Sequence, residues 1–119
     1  MKICFTSRGP DLSSEMDPRF GRARYFVIYD DETESHEVID NEKNLNASGG
    51  AGIQSAMNVV QTGCQWVVSG HMGPRALAVL KEAGVKIGVG ASGSVSDAIK
   101  QFAAGEIEEV DSADVPPHW

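Results

Sequence analysis

The sequence predicts a single-domain α/β fold: a mixed five-stranded sheet with an N-terminal antiparallel hairpin and helices on both faces. Three observations point there. A run rich in β-branched and aromatic residues and a returning strand with a charged edge flank a polar turn near the N-terminus, and beyond residue 51 segments of helical period alternate with short apolar runs. The chain of 119 residues has the size of one ordinary domain, so a second core is not available.

Lys2 to Ser7 reads as a buried strand, and Arg22 to Asp30 as a second that carries Tyr25, Phe26, Val27, Ile28 and Tyr29. Asp31 to Thr33 is a polar turn, and Ser35 to Asp40 returns as a third strand with His36 and Glu37 charging its edge. Asn41 to Ser48 is polar and loop-like. Ile53, Ala56, Met57 and Val60 then recur at the spacing of one helix face, which Gly63 ends. Trp66 to Ser69 is a short apolar strand. Pro74 opens a second helix with Ala76, Leu77, Leu80 and Ala83 as its buried face, and Gly84 stops it. Val85 to Val89 is the next strand. Ser94 and Asp97 have the form of a capping box ahead of Val95, Ala98, Ile99 and Phe102, with Gly105 as the stop. Ile107 to Val110 adds a short edge strand, which places the domain at 1–110 and leaves 111–119 as a loose acidic tail. The order β-β-β-α-β-α-β-α joins an antiparallel hairpin to right-handed parallel crossovers.

Composition excludes several classes of function. Hydrophobic residues at 41% and charged residues at 23% are globular values and argue against disorder. No apolar run approaches the roughly 20 residues of a membrane span, and MKICFTSRG lacks a signal-peptide core, so a cytoplasmic protein is expected. The formal net charge of -7 disfavours nucleic acid and anionic membranes as partners. Charge is nevertheless segregated: Arg8, Arg19, Arg22, Arg24 and Arg75 lie near loop ends, while the acids gather at 30–37 and 106–114. Cys4 and Cys64 lack metal or redox spacing and read as buried free thiols.

The candidate site lies in glycine-rich loops. Three helices begin after Ser48-Gly49-Gly50-Ala51-Gly52, Ser69-Gly70-His71-Met72-Gly73-Pro74 and Gly90-Ala91-Ser92-Gly93-Ser94. Unpaired N–H groups and the macrodipole at a helix start favour an anion, and glycine lets a bulky one approach. The second and third loops follow parallel strands, so their shared carboxyl edge is the expected pocket. Taken singly, each loop is better explained as a tight turn, and it is the three together that point to a site. None is a P-loop and none follows the dinucleotide pattern after the first strand.

The run Met16-Asp17-Pro18-Arg19-Phe20-Gly21-Arg22-Ala23-Arg24-Tyr25-Phe26, then Gly49-Gly50-Ala51-Gly52-Ile53-Gln54 and Gly70-His71-Met72-Gly73-Pro74-Arg75-Ala76, resembles the dinitrogenase iron-molybdenum cofactor biosynthesis family over nearly the whole chain. The resemblance implies a ribonuclease-H-like fold and noncovalent carriage of a molybdenum-containing sulfide cluster, with or without copper or iron. Members range from nitrogenase cofactor chaperones to the orange-protein type with its molybdenum-copper sulfide cluster, and the short chain suits the latter. The implied ligand-binding residues are Arg19, Phe20, Gly21, Arg22, Gly50, Gly52, Gly70, His71, Met72, Gly73 and Pro74, joined by Ser92 and Gly93 from the third loop. His71 is the one candidate metal ligand, as a copper ligand or a donor to sulfide, with a solvent-facing ring as the plain alternative.

Arg19 and Arg22 would neutralise cluster charge, although Arg19 equally suits a salt bridge to Asp17, and Phe20 suits a core plug. Met72 would offer a polarizable contact, and His118-Trp119 could fold over the pocket. Two separated cysteines cannot supply the thiolates that usually anchor an iron-sulfur cluster, so the cluster must bring its own sulfides. A protein partner in cofactor transfer is implied, with the chain a monomer or a cluster-linked dimer. Catalysis is not expected. Lys2 to Thr6 has no carboxylate for nuclease metals, and no cysteine or serine has a recognisable base. The competing readings are a sensor or enzyme for a small anion or phosphate ligand using the same helix starts, and a ligand-free partner-binding adaptor.

Overall fold

β1 (Lys2–Ser7) is buried from Ile3 onward because it lies at the centre of the sheet, with a neighbour on each side. In the computed structural model, which describes residues 1–45 and 50–116, β2 (Tyr25–Asp30) runs antiparallel to β1, and β3 (Ser35–Asp40) antiparallel to β2. On the other side β4 (Trp66–Val68) pairs parallel to β1, and β5 (Lys86–Gly88) parallel to β4. The order is therefore β3-β2-β1-β4-β5, the mixed five-stranded sheet with its hairpin that the pattern predicts. No helix among the described residues is long and apolar enough to cross a membrane.

The helices are α1 (Glu42–Leu45), α2 (Ala51–Val60), α3 (Pro74–Glu82) and α4 (Val95–Ala103). The core of this one domain divides into two layers, one on each face of the sheet, by the period-two alternation of the strands. Cys4, Phe26, Ile28, Val67 and Ile87 face α2 and α3, whereas Ile3, Phe5, Val27 and Val68 face α4. Helices thus cover both faces. The links β3-α2-β4 and β4-α3-β5 both move toward β5 through the sheet, so a common crossover hand puts α2 and α3 on the same face.

Several expected boundaries and faces differ. The second strand starts at Tyr25, not Arg22, because Ala23 N–H turns back onto the Phe20 carbonyl at 3.2 Å before pairing with β1 begins. Part of the expected loop after β3 is α1, whose first N–H, on Glu42, is held by the Asp40 carboxylate at 2.9 Å. The face of α2 is rotated: Ala51, Ser55, Ala56 and Val59 are buried, while Ile53 and Met57 are 37% and 46% exposed. The small residues are the ones turned inward, because α2 lies close against the loop at Gly21 and against α3. Ala83 is exposed as the C-cap of α3. The expected edge strand over 107–110 is reduced to one bridge, Glu109 with Gly88, and a bond from Val110 N–H to the Ile87 carbonyl at 2.8 Å.

Candidate functional site

β3, β1, β4 and β5 all point the same way, since β3 and β1 are each antiparallel to β2. Their carboxyl ends form one edge, at which α2, α3 and α4 each begin. The glycine-rich segments therefore meet at a single edge, as the sequence reading requires. The pairing within that edge is different: the starts of α2 and α3 share one face, with Gly52 beside Ala76, and the start of α4 lies on the other.

The long connection between β1 and β2 runs across this edge and stitches its parts together. Met16 N–H donates to the Gly93 carbonyl at 2.9 Å, His71 N–H to the Pro18 carbonyl at 2.8 Å, and Arg19 bridges His71 in parallel. Thr6 anchors the connection from below, with its hydroxyl on the Asp17 carbonyl at 2.7 Å. Buried Asn41 donates to the Ala23 carbonyl at 2.9 Å, and Ser55 Oγ donates to that of Gly21 at 3.2 Å, which fixes the connection to α2. Its glycines are placed by sterics. A Cβ on Gly21 would lie 2.9 Å from Gly52 Cα, and one on Gly70 would lie 2.8 Å from Pro18 Cα.

At α2 the N-cap is Gly50, exposed and left-handed at φ 72, with no capping side chain. At α3 it is Gly73, also without a side-chain cap, followed by Pro74 at the first helical position. Among the described residues the N–H groups of Ala51, Gly52 and Ile53, and of Gly73, Arg75 and Ala76, find no acceptor. The third loop is different, and its expected role as an anion cradle is corrected. Val95 and Ser96 N–H groups donate to the Ser14 and Leu12 carbonyls at 2.9 and 2.8 Å, and Asp97 N–H to Ser94 Oγ at 3.0 Å. The capping box is complete, with Ser94 N–H on Asp97 Oδ2 at 3.0 Å, and the Ser94 contacts hold the Asp97 carboxyl below its ordinary pKa. Gly93 makes room for that carboxylate, and the Ser92 carbonyl accepts from Gln101. The first-turn donors of α4 at Val95, Ser96 and Asp97 are therefore all occupied.

The side chains divide as sharply. Phe20 is 2% exposed and packs on Phe26 with ring centroids 5.1 Å apart, which makes it a core plug. Met72 is fully buried in the same core, so its thioether is not open to give the polarizable contact expected of it. Arg19 is exposed; its backbone N–H, not its guanidinium, meets Asp17, at 3.0 Å. Arg22 donates through Nη1 to the Leu45 carbonyl at 3.0 Å, so one arm holds the end of α1. Arg75, in the first turn of α3, is exposed and, among the described residues, forms no ion pair. His71 is half-buried, with Nδ1 at 2.8 Å from Asp114 Oδ2. Ser48, Gly49, His118 and Trp119 lie outside the described residues. Both cysteines are buried and free, as expected.

The family model for the dinitrogenase iron-molybdenum cofactor matches residues 1–105. The chain belongs to this family. Among family-like structures, the apo form of the orange protein from Desulfovibrio gigas is 35% identical and superposes with a TM-score of 0.93, covering 96% of each chain. A Thermotoga protein provisionally described as NifB is 34% identical, with a TM-score of 0.84 over 96% of this chain and 97% of that one. An uncharacterized protein of Methanocaldococcus jannaschii is 28% identical over 103 residues, 84% of this chain and 86% of its own.

Sequence reasoning missed two members of the edge. Arg75 follows Pro74 directly, so its place in the first turn was open to inference once Pro74 was assigned to the helix start. Asp114 gave no such signal. It stands in the segment read as a loose tail, yet its carboxylate reaches back to His71 and Met72. Burial tends to raise the pKa of this carboxyl, but the bonds from Met72 N–H and His71 outweigh it and hold the group below the ordinary carboxylate value.

Proposed function

We propose that the chain binds and carries a molybdenum-containing metal-sulfur cluster without covalent attachment, the cargo being a molybdenum-copper sulfide or a precursor of the iron-molybdenum cofactor. One observation carries the reading: on one face of the carboxyl edge, the starts of α2 and α3 come together with uncapped N–H donors, and two exposed arginines belong to the same edge, Arg75 in the first turn of α3 and Arg19 bridged to His71. Convergent N–H dipoles and cations suit a bulky anion. The cysteines lie inside the core, so thiolate anchoring is not available and a cluster that carries its own sulfides fits the donor set. Family membership and the likeness to the orange protein support the same cargo.

In this reading the chain is a carrier rather than an enzyme. It works in the cytoplasm as a monomer or a cluster-linked dimer, and it hands the cluster to a protein partner. The 3-2-1-4-5 order with an antiparallel second strand suits the ribonuclease-H-like assignment. Anaerobic titration with tetrathiomolybdate, alone and with cuprous ion, followed by desalting, should leave visible absorption and bound molybdenum. R19A together with R75A should weaken retention roughly tenfold, the scale of one lost charge-assisted contact, with an unchanged melting temperature. Protein that stays colourless and metal-free overturns the proposal. Stabilisation by inorganic phosphate alone would favour the small-anion reading instead.

A further inference from the structure

Immediately ahead of the N-cap of α3 the chain already holds an anion of its own. Asp114 Oδ1 accepts Met72 N–H at 2.7 Å, Oδ2 lies 2.8 Å from His71 Nδ1, and Asp114 N–H donates to the Met72 carbonyl at 3.1 Å. The chain continues over the N-cap, where the Pro116 carbonyl is 3.8 Å from the place a Cβ on Gly73 would occupy. One residue class thus sits where the macrodipole favours negative charge, at the helix whose remaining donors form the candidate cradle. On the other side of this contact, Val110 is fixed to β5 and Asp111 is paired with Lys81 of α3, so the segment is tethered at its root.

We propose that residues 111–116 form an autoinhibitory strap, in which the Asp114 carboxylate competes with the anionic cargo for the start of α3 and must leave for the cargo to seat. The inference rests on the cargo reading above and adds its regulation. Displacement is feasible because the paired side chains of His71 and Asp114 are 44% and 33% exposed, so water and salt weaken their contact. A strap docked about nine-tenths of the time would mask about tenfold in affinity, since apparent binding scales with the open fraction.

The test uses the full chain with D114N, D114A and E106Q, titrated anaerobically with tetrathiomolybdate and separately with inorganic phosphate, with melting curves to establish folding. E106Q removes the same charge from an exposed position outside the strap and controls for net charge. D114A should tighten tetrathiomolybdate about tenfold, D114N by less, and E106Q should leave it unchanged. Faster amide exchange at Met72 in D114A, with wild-type exchange in E106Q, should accompany this. Equal affinity in wild type and both Asp114 variants overturns the strap and leaves the cargo reading standing. Equal tightening by E106Q also overturns it, as a plain charge effect. If the Asp114 variants gain phosphate binding while no protein binds tetrathiomolybdate, the cargo reading fails and the strap stands. If none of the proteins binds either anion, both fail.

Discussion

At the scale of single residues, the two cysteines constrain how any metal-sulfur cargo is held. Burial pushes the Cys4 thiol well above its ordinary pKa, and burial also raises Cys64, against the opposing effect of Thr62. A protonated thiol sealed in the core is neither a nucleophile nor a metal ligand. Native protein at pH 8 should therefore leave Cys4 unlabelled by iodoacetamide, while protein in denaturant labels at both positions. The double variant C4A/C64A should lose about 1 kcal/mol for each deleted buried sulfur and still retain tetrathiomolybdate with wild-type affinity. Loss of the cargo with the fold intact would show that a thiol is a ligand after all. The arginines make the complementary point: Arg19 and Arg75 present charge outward, whereas Arg22 spends part of its donor set on Leu45, a role that its place in a charged motif does not reveal.

At the scale of elements, the periodic segments were legible because burial follows the helical and strand periods directly, and the capping box of α4 was legible because it is local. What was not legible came from contacts across the chain. The rotated face of α2 follows from the approach of Gly21 and α3, and the occupied start of α4 follows from the carbonyls of Leu12 and Ser14, about 80 positions upstream. Glycine motifs that look like ligand loops are divided in the same way. At Gly70 a Cβ would meet the Pro18 backbone at 2.8 Å, and backbone cannot give way cheaply, so G70A should cost about 1–3 kcal/mol in urea unfolding. At Gly52 the nearest atom is the Ala76 Cβ at 3.6 Å, an ordinary contact, and alanine suits a helix better than glycine. G52A should therefore unfold no earlier than wild type. Its methyl group would stand 3.9 Å from Ala76 N, one of the proposed donors, and should weaken tetrathiomolybdate binding severalfold. A destabilised G52A with unchanged binding would reverse that assignment.

At the scale of the whole molecule, the sequence carried the mixed sheet with its antiparallel hairpin and the gathering of helix starts, because crossover rules turn element order into geometry. It could not place Asp114, since a polar tail has no periodicity to fix where it docks. Net charge adds a consequence that neither the loops nor the arginines give alone. A chain of formal charge -7 repels a dianion at a distance, while the edge attracts it on contact. The Debye length falls from about 30 Å at 0.01 M salt to about 8 Å at 0.15 M, and the radius of gyration is 12.5 Å. Salt therefore screens the repulsion of the body more than the short contacts to Arg19 and Arg75. The association rate of tetrathiomolybdate, followed by stopped-flow absorbance, should rise roughly threefold to tenfold across that range, opposite to ordinary electrostatic steering. If the rate falls instead, the field of the edge already dominates at a distance, and the acidic remainder of the surface has no part in setting how fast cargo arrives.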